Sequence, residues 1–432
     1  MPIDKNNAAI CPPMGWNTWD CYGTAVNEGQ LRANAKFMAE NLAESGWEYV
    51  VCDIQWYDPQ ARAAKFNEFF PMETDGFSRL IPPANRFPSA AGGKGFSGIA
   101  SYIHGLGLKF GIHIMRGIPR LAVHNGTPIL SRGKTARDIA SYYSVCPWNT
   151  DMYGVNPDAE GAQDYYDSLF ELYASWGVDY VKADDISFTE LTPRDPYSGR
   201  REIEMIRRAI DKCGRSMVLS LSPGPAPAEA AEHLRKHANM WRMTGDFWDN
   251  WEQLYETFEK CGQWSPYVSE GCWPDCDMLP IGRLCVYGDA ESENGRATNF
   301  TRNEQVTLMT LWCVFRSPLM LGCELVNMDD WTLSLVTNGE VLNLTKTTSG
   351  ARQVLRTGDC IVWKSADSDG NSYLAVFNVS YGVIKPELSL AGFGIGGGKK
   401  ARDLWEKREL GEVGDRLCLS VEPHGARLVK IY

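Results

Sequence analysis

Eight short apolar segments, separated by amphipathic stretches, limit what this chain can fold into more than any other feature. They lie at 13–19, 49–54, 108–114, 178–184, 217–221, 240–244, near 265–270 and at 317–322. Between several of them, 28–45, 161–176, 200–213 and 251–261 repeat apolar residues at helical spacing. A helix returns the chain to the starting edge of the sheet, so consecutive strands run parallel. Eight such units predict an α/β fold, the (β/α)8 TIM barrel. The connections 57–97 and 117–157 are long for that fold. Both follow strand ends, so they are expected to wall the barrel mouth.

The pattern changes at about residue 346. Short alternating runs at 360–364, 373–378, 387–390, 392–400, 417–421 and 426–432 are separated by turn clusters such as Asp367-Ser368-Asp369-Gly370. They predict a C-terminal antiparallel β-sandwich, and so a barrel over 1–345 and a β domain over 346–432. The glycine-rich 392–398 reads as a hairpin or loop. No helix opening on a Lys-Ser/Thr pair follows it, as a phosphate cradle would need.

Two of the expected strands end on carboxylates, Asp184 and Asp246. At the C-terminal rim of a parallel barrel, such groups face the active-site mouth. With Lys182 and Arg242 just upstream, they fit the acid-and-nucleophile pair that glycoside hydrolysis uses. Taken alone, either aspartate is more readily read as a cap on the helix that follows, and it is the pair that favours catalysis.

Composition narrows the partners. A formal charge of −11 argues against nucleic acid or an anionic membrane surface. Fifteen tryptophans supply core, and also flat faces of the kind that stack on sugars. The thirteen cysteines include one pair at Cys-x3-Cys spacing, Cys272 and Cys276, and no Cys-x2-Cys. An odd, scattered set reads as reduced thiols rather than a disulfide framework. The first ten residues hold no apolar core of signal-peptide length, and no later run is long enough to span a bilayer. A soluble, cytoplasmic protein is the expectation, with the oligomeric state left open.

Four motifs carry a resemblance. Pro13-Met14-Gly15-Trp16-Asn17-Thr18-Trp19 resembles the MGWNSW signature of glycoside hydrolase family 27, which holds α-galactosidases and α-N-acetylgalactosaminidases. The segment 176–185, Trp-Gly-Val-Asp-Tyr-Val-Lys-Ala-Asp-Asp, is similar to its WGVDYLKYDNC element. Arg242 to Asp246, with Trp251 beyond, is similar to RTTGDIxDNW, and Trp273-Pro274-Asp275-Cys276-Asp277-Met278-Leu279 resembles WNDPDML. The tail, with Asp403-Leu404-Trp405 and Pro423-His424-Gly425, is similar to that family's C-terminal sheet domain. The match runs in order through nearly the whole chain.

The resemblance implies a retaining exo-glycosidase that needs no cofactor or metal and acts on an oligosaccharide or glycoside. It makes Asp184 the nucleophile and Asp246 the acid/base. Lys182, Arg242 and Asp53 would bind sugar hydroxyls, Trp16 would stack on the sugar, and Asp277 would orient Arg242 or border the leaving group. Chemistry supports the catalytic roles. Lys182, two residues before Asp184 on the same strand face, favours the carboxylate, and a desolvating wall of Trp241, Phe247 and Trp248 would keep Asp246 protonated.

Departures from the family pattern bear on specificity. Ile54 follows Asp53 where relatives carry a second aspartate. Ile186 replaces a cysteine, which leaves Cys146 a free thiol at the site. His113 stands where a tyrosine is expected, with Arg116 beyond it. Ser222, after the fifth strand, is small enough to leave room for a 2-acetamido group. α-Galactosidase activity leads on this reading, followed by α-N-acetylgalactosaminidase. β-L-Arabinopyranosidase comes third, because that sugar is galactose without its C6 hydroxymethyl. A metal-dependent barrel hydrolase would need a His-x-His strand and further ligands. His113 stands alone, and the histidines at 104, 124, 233, 237 and 424 show no such pattern. A catalytically silent sugar-binding homologue would have no need for both aspartates.

Overall fold

The computed structural model describes residues 4–62, 66–67, 70–191, 194–286 and 295–432. Parts of the 57–97 connection (63–65 and 68–69), and the first three residues of the start read above, lie outside them. Eight strands form the first sheet: β1 Met14–Asn17, β2 Tyr49–Cys52, β3 Lys109–Met115, β4 Tyr180–Asp184, β5 Val218–Leu221, β6 Met240–Arg242, β7 Trp273–Asp275 and β8 Leu319–Leu321. They pair in parallel in the order β7-β6-β5-β4-β3-β2-β1-β8. The two ends of that order meet just beyond β7, where Leu279 N donates to Met320 O at 2.7 Å and Gly322 N donates to Leu279 O at 3.2 Å. β7 holds Pro274, which an end strand tolerates because no full ladder needs its missing N–H.

The principal outer helices are α1 Glu28–Asn41, α2 Ser97–Gly105, α3 Ala162–Trp176, α4 Arg200–Lys212, α5 Ala231–His237, α6 Trp251–Trp264 and α7 Arg302–Phe315. Their starts follow local chemistry. Asn27 with Gln30, and Thr301 with Glu304, form capping boxes on α1 and α7. α3 buries Tyr165, Leu169, Phe170, Tyr173 and Trp176 and stops at Gly177, whose φ of 88° suits glycine.

The seventh strand falls later than 265–270. Residues Ser265–Tyr267 form a 3-10 turn with Pro266 in its first positions, directly after α6. Its Tyr267 and the Val268 that follows pack on the core without joining the sheet. The ladder to β6 forms instead at Trp273, opposite Met240, and Asp275, opposite Arg242.

Strand alternation sorts the side chains into layers. Tyr49, Tyr180, Val218, Met240, Trp273 and Met320 form a buried plug inside the barrel with Ala9. Their strand neighbours Trp16, Val50, Val181, Leu219, Trp241 and Leu321 share the large core with the helices. Gly15 lets β1 and β2 approach closely, since a Cβ there would sit 2.5 Å from the Tyr49 carbonyl oxygen.

The chain passes from a short helix, Leu344–Thr347, straight into an antiparallel β domain. Its strands are β9 Thr348–Arg356, β10 Cys360–Asp367, β11 Ser372–Asn378, β12 Glu387–Ser389, β13 Lys399–Asp403, β14 Arg408–Val413, β15 Arg416–Cys418 and β16 Ala426–Ile431. Six pair in the order β9-β10-β11-β16-β13-β14, and β12 pairs with β15. Val362, Leu374, Val376 and Val429 on one face of the large sheet pack with Leu388 and Leu417 of the small one. The opposite face, Ile361, Trp363, Ala375, Phe377 and Leu428, joins the barrel core, with Phe377 4.8 Å from Phe258 of α6. Strands β9 and β14 were not expected, and β13 begins only at the end of the run expected over 392–400. β9 and β14 are the sheet edges, and their largely exposed, charged faces hide the apolar alternation. Among the described residues, no helix is long and apolar enough to cross a membrane.

Candidate active site

The inward positions continue up the strands from the plug and become polar. Above Tyr180, Val218, Met240 and Trp273 come Lys182, Ser220, Arg242 and Asp275. One layer higher, at the strand ends, are Asp53, Asp184, Ser222 and Asp277. Burial of charge on this scale requires pairing. A cavity of about 390 Å³ opens at this level, lined by Asp53, Ile54, Lys182, Asp184, Ser222, Arg242, Asp246 and Asp277, with Trp19 and Asp20 from the β1 end.

Asp184 sits at the cavity floor. Its Oδ2 accepts from His113 Nε2 at 3.1 Å and its Oδ1 accepts from the Asp185 amide at 3.1 Å. Burial pushes the Asp184 carboxyl up, but the His113 hydrogen bond and the Lys182 charge outweigh it and hold it well below the usual carboxylate range. Asp184 is therefore a carboxylate at neutral pH. Lys182 Nζ lies 2.9 Å from Asp53 Oδ2, which also accepts from Asn17 Nδ2 at 2.6 Å. Burial opposes the charge on both members of that pair. Their mutual attraction prevails, lowering Asp53 and raising Lys182.

A second network faces the first. Arg242 Nη2 lies 2.7 Å from Asp277 Oδ2 and 3.2 Å from Asp246 Oδ1. Asp277 Oδ2 also accepts from the Phe247 amide at 2.8 Å. Burial pushes the Asp277 carboxyl up to about 7, against the pull of Arg242. Asp246 differs, since its side chain is 73% exposed. The desolvating wall expected around it is only partly there. Trp241 is fully buried on the outer side of β6, 5.9 Å from Trp264. Phe247, which packs on Trp312, and Trp248 both border the cavity, yet they leave Asp246 open to solvent.

Seven of the ten anticipated residues border this one cavity: Asp53, Lys182, Asp184, Ser222, Arg242, Asp246 and Asp277. Trp16 does not. It is fully buried on the outward side of β1, where its indole N–H donates to Cys323 O at 2.7 Å. Alternation explains this, because Asn17, its neighbour, is the one that turns inward to Asp53. His113 is fully buried beside Lys182, its register partner on β4, and its ring contacts the Asp184 carboxylate without lining the cavity. Cys146 is buried away from the lining, its thiol pushed up by burial, and Trp148 of the same connection takes the place at the mouth. Asp185, the alternative inward carboxylate, turns away at a φ of 55° and pairs with Arg116 at 2.8 Å.

Sequence reasoning missed Trp19, whose ring stacks on Phe66 at 5.6 Å and 11° between planes. Trp19 begins a helical turn after β1 ends, so strand alternation does not reach it. Its presence in the opening motif was the available signal. Asp20 was missed as well. It lines the cavity, its Oδ2 has no hydrogen-bond partner among the described residues, and burial raises its carboxyl well above the usual range.

Comparison with known proteins matches this arrangement. A family model described as alpha galactosidase A covers residues 156–347, and one for the alpha galactosidase C-terminal beta sandwich domain covers 357–431. The chain is 55% identical to a crystallised family 27 β-L-arabinopyranosidase of Geobacillus stearothermophilus, covering 99% of this chain and 98% of that one, with a TM-score of 0.95. It is 46% identical to a putative α-N-acetylgalactosaminidase of Bacillus halodurans, covering 97% of each chain, with a TM-score of 0.87. It is also 26% identical over 429 residues to alpha-galactosidase 2 of Arabidopsis thaliana, spanning 98% of this chain and 90% of that protein. Asp184 at the end of β4 and Asp246 in the loop after β6, meeting in one barrel-mouth cavity, and end-to-end similarity to crystallised relatives, lead to one conclusion: the chain belongs to glycoside hydrolase family 27 and is a glycoside hydrolase.

Proposed function

We propose that this enzyme is a retaining exo-glycosidase whose preferred substrates are β-L-arabinopyranosides. The observation that carries the sugar preference is Ile54, an apolar side chain in the cavity wall beside Asp53. β-L-Arabinopyranose matches α-D-galactopyranose around the ring and lacks only the C6 hydroxymethyl. Where relatives offer a second carboxylate, this wall offers hydrocarbon. A hydroxymethyl buried there loses water without gaining a partner, at a cost of about 1–3 kcal/mol. A bare ring methylene does not. Similarity to the arabinopyranosidase at 55% identity supports the same choice.

Double displacement follows from the roles given to the two aspartates. Asp184 attacks the anomeric carbon as Asp246 delivers its proton to the departing oxygen, so the glycosidic bond breaks and a glycosyl-Asp184 ester forms. Asp246 then takes a proton from water, whose oxygen bonds to the anomeric carbon and releases Asp184. Lys182, Asp53, Arg242 and Trp19 bind and orient the ring. We assign this chemistry to residues 1–345 and a bracing role to 346–432. Thirteen free thiols support a reducing, cytoplasmic setting, which recovery of native protein in a membrane-bound compartment would contradict.

The test is kcat/KM on p-nitrophenyl β-L-arabinopyranoside, α-D-galactopyranoside and α-N-acetylgalactosaminide. The arabinopyranoside is expected to lead the galactoside by roughly 10–100-fold. A galactoside rate equal or higher overturns the sugar assignment. The acetamido sugar is a second reading favoured by Ser222, which borders the cavity with its hydroxyl unpartnered, and the same panel decides it.

A further inference from the structure

Outside the sugar cavity, one cluster of metal-ligating side chains stands out. Glu204 lies on α4, and His233 and His237 lie one turn apart on α5, so both rings share a helix face. One ligand atom from each residue falls within 4.8 Å of the others. Glu204 Oε1 is 3.2 Å from His233 Nε2, and the two imidazole rings are 4.4 Å apart between centroids. None of the three lines the sugar cavity.

We propose that Glu204, His233 and His237 bind one divalent transition-metal ion of the zinc class and thereby staple α4 to α5. The donor set suits that class, since two imidazoles and a carboxylate are common zinc ligands and leave a fourth position for water. Metal–ligand lengths of about 2.0–2.2 Å place tetrahedral ligand atoms about 3.3 Å apart. The Glu204–His233 spacing already meets this, and His237 needs only a side-chain rotation. Tyr197 Oη lies 2.8 Å from His233 Nδ1. With the ring proton on Nδ1 and given to that phenol oxygen, the Nε2 lone pair is free for the ion and the ring is held in orientation.

A purely structural hydrogen-bond chain from Tyr197 through His233 to Glu204 explains two of the three residues. It leaves out His237, whose ring has no hydrogen bond among the described residues. Arg208 approaches the other oxygen of Glu204, Oε2, at 3.7 Å and leaves Oε1 to the ion.

The test uses tag-free, full-length protein stripped with chelator and titrated with ZnCl2 by calorimetry and thermal unfolding. One equivalent of zinc is expected to bind and raise Tm, with MgCl2 inactive. His237→Ala and Glu204→Gln should each weaken zinc binding at least tenfold, and Tyr197→Phe by about tenfold. The variants also control for zinc held by the free thiols. Wild type taking up no equivalent of zinc, or taking it up no more tightly than His237→Ala and Glu204→Gln, overturns the proposal.

Discussion

At the scale of single residues, the proposed chemistry turns on how His113 and Lys182 keep Asp184 ionised inside a buried floor. The Asp184 carboxyl is a stronger acid in the native state than in the unfolded chain. Its contribution to stability is therefore present above the ordinary carboxylate range and lost as pH falls through the depressed native value. His113→Phe removes a hydrogen bond to a charged group, worth about 1.5–3 kcal/mol. The Asp184 pKa should then rise, and the acid limb of kcat/KM should move to higher pH. An unmoved limb would mean that His113 does not set this ionisation. Asp184→Ala should abolish turnover while Asp185→Ala retains it. Asp246→Ala should lower kcat roughly 10²–10⁴-fold on substrates with poor leaving groups, with azide restoring rate on activated aryl glycosides. The two carboxyl groups should prove about 5–5.5 Å apart in a sugar-bound crystal structure, and a gap near 9 Å would point to inversion.

At the scale of elements, β1 shows how a period of two divides neighbouring residues between different tasks. Trp16 serves the core and Asn17 the site, while Trp19, just past the strand, reaches the sugar cavity. Trp19→Ala should raise KM with little loss of stability. Trp16→Ala should cost about 3–5 kcal/mol of stability, read as a lower denaturation midpoint, with KM nearly unchanged in the folded fraction. The same period explains the legibility of Lys182 and Asp184, which sit two and four residues beyond the inward Tyr180. β7 was less legible because Pro266 and Pro274 each disguise local geometry, one opening a turn among apolar residues and the other sitting inside a strand.

At the scale of the whole molecule, the C-terminal sheet is built into the barrel core. Phe377 and Trp363 meet Phe258 and Phe315, whereas the other sheet face closes its own small core with β12 and β15. A shared core should make the barrel and sheet unfold together. Calorimetry should show one transition, and Phe377→Ala should lower the stability of that single transition by about 3–5 kcal/mol. Two separable transitions, with only one responding to the substitution, would contradict the coupling.

What the sequence determined by itself was everything carried by short-range periodicity and motif. This covers the alternation of strands and helices, Asp184 at its strand end, the inward Lys182, and the family, whereas Asp246 lies in the loop four residues past β6. Tertiary structure alone decided which ring of the opening motif reaches the cavity, how exposed Asp246 is, and that the buried His113 bonds Asp184. It also brought Glu204 to His233 and His237. Each of these depends on side chains from distant segments meeting across a closed barrel or between packed helices. Local spacing fixes the face a residue occupies, but it carries no information about what the neighbouring element presents to that face.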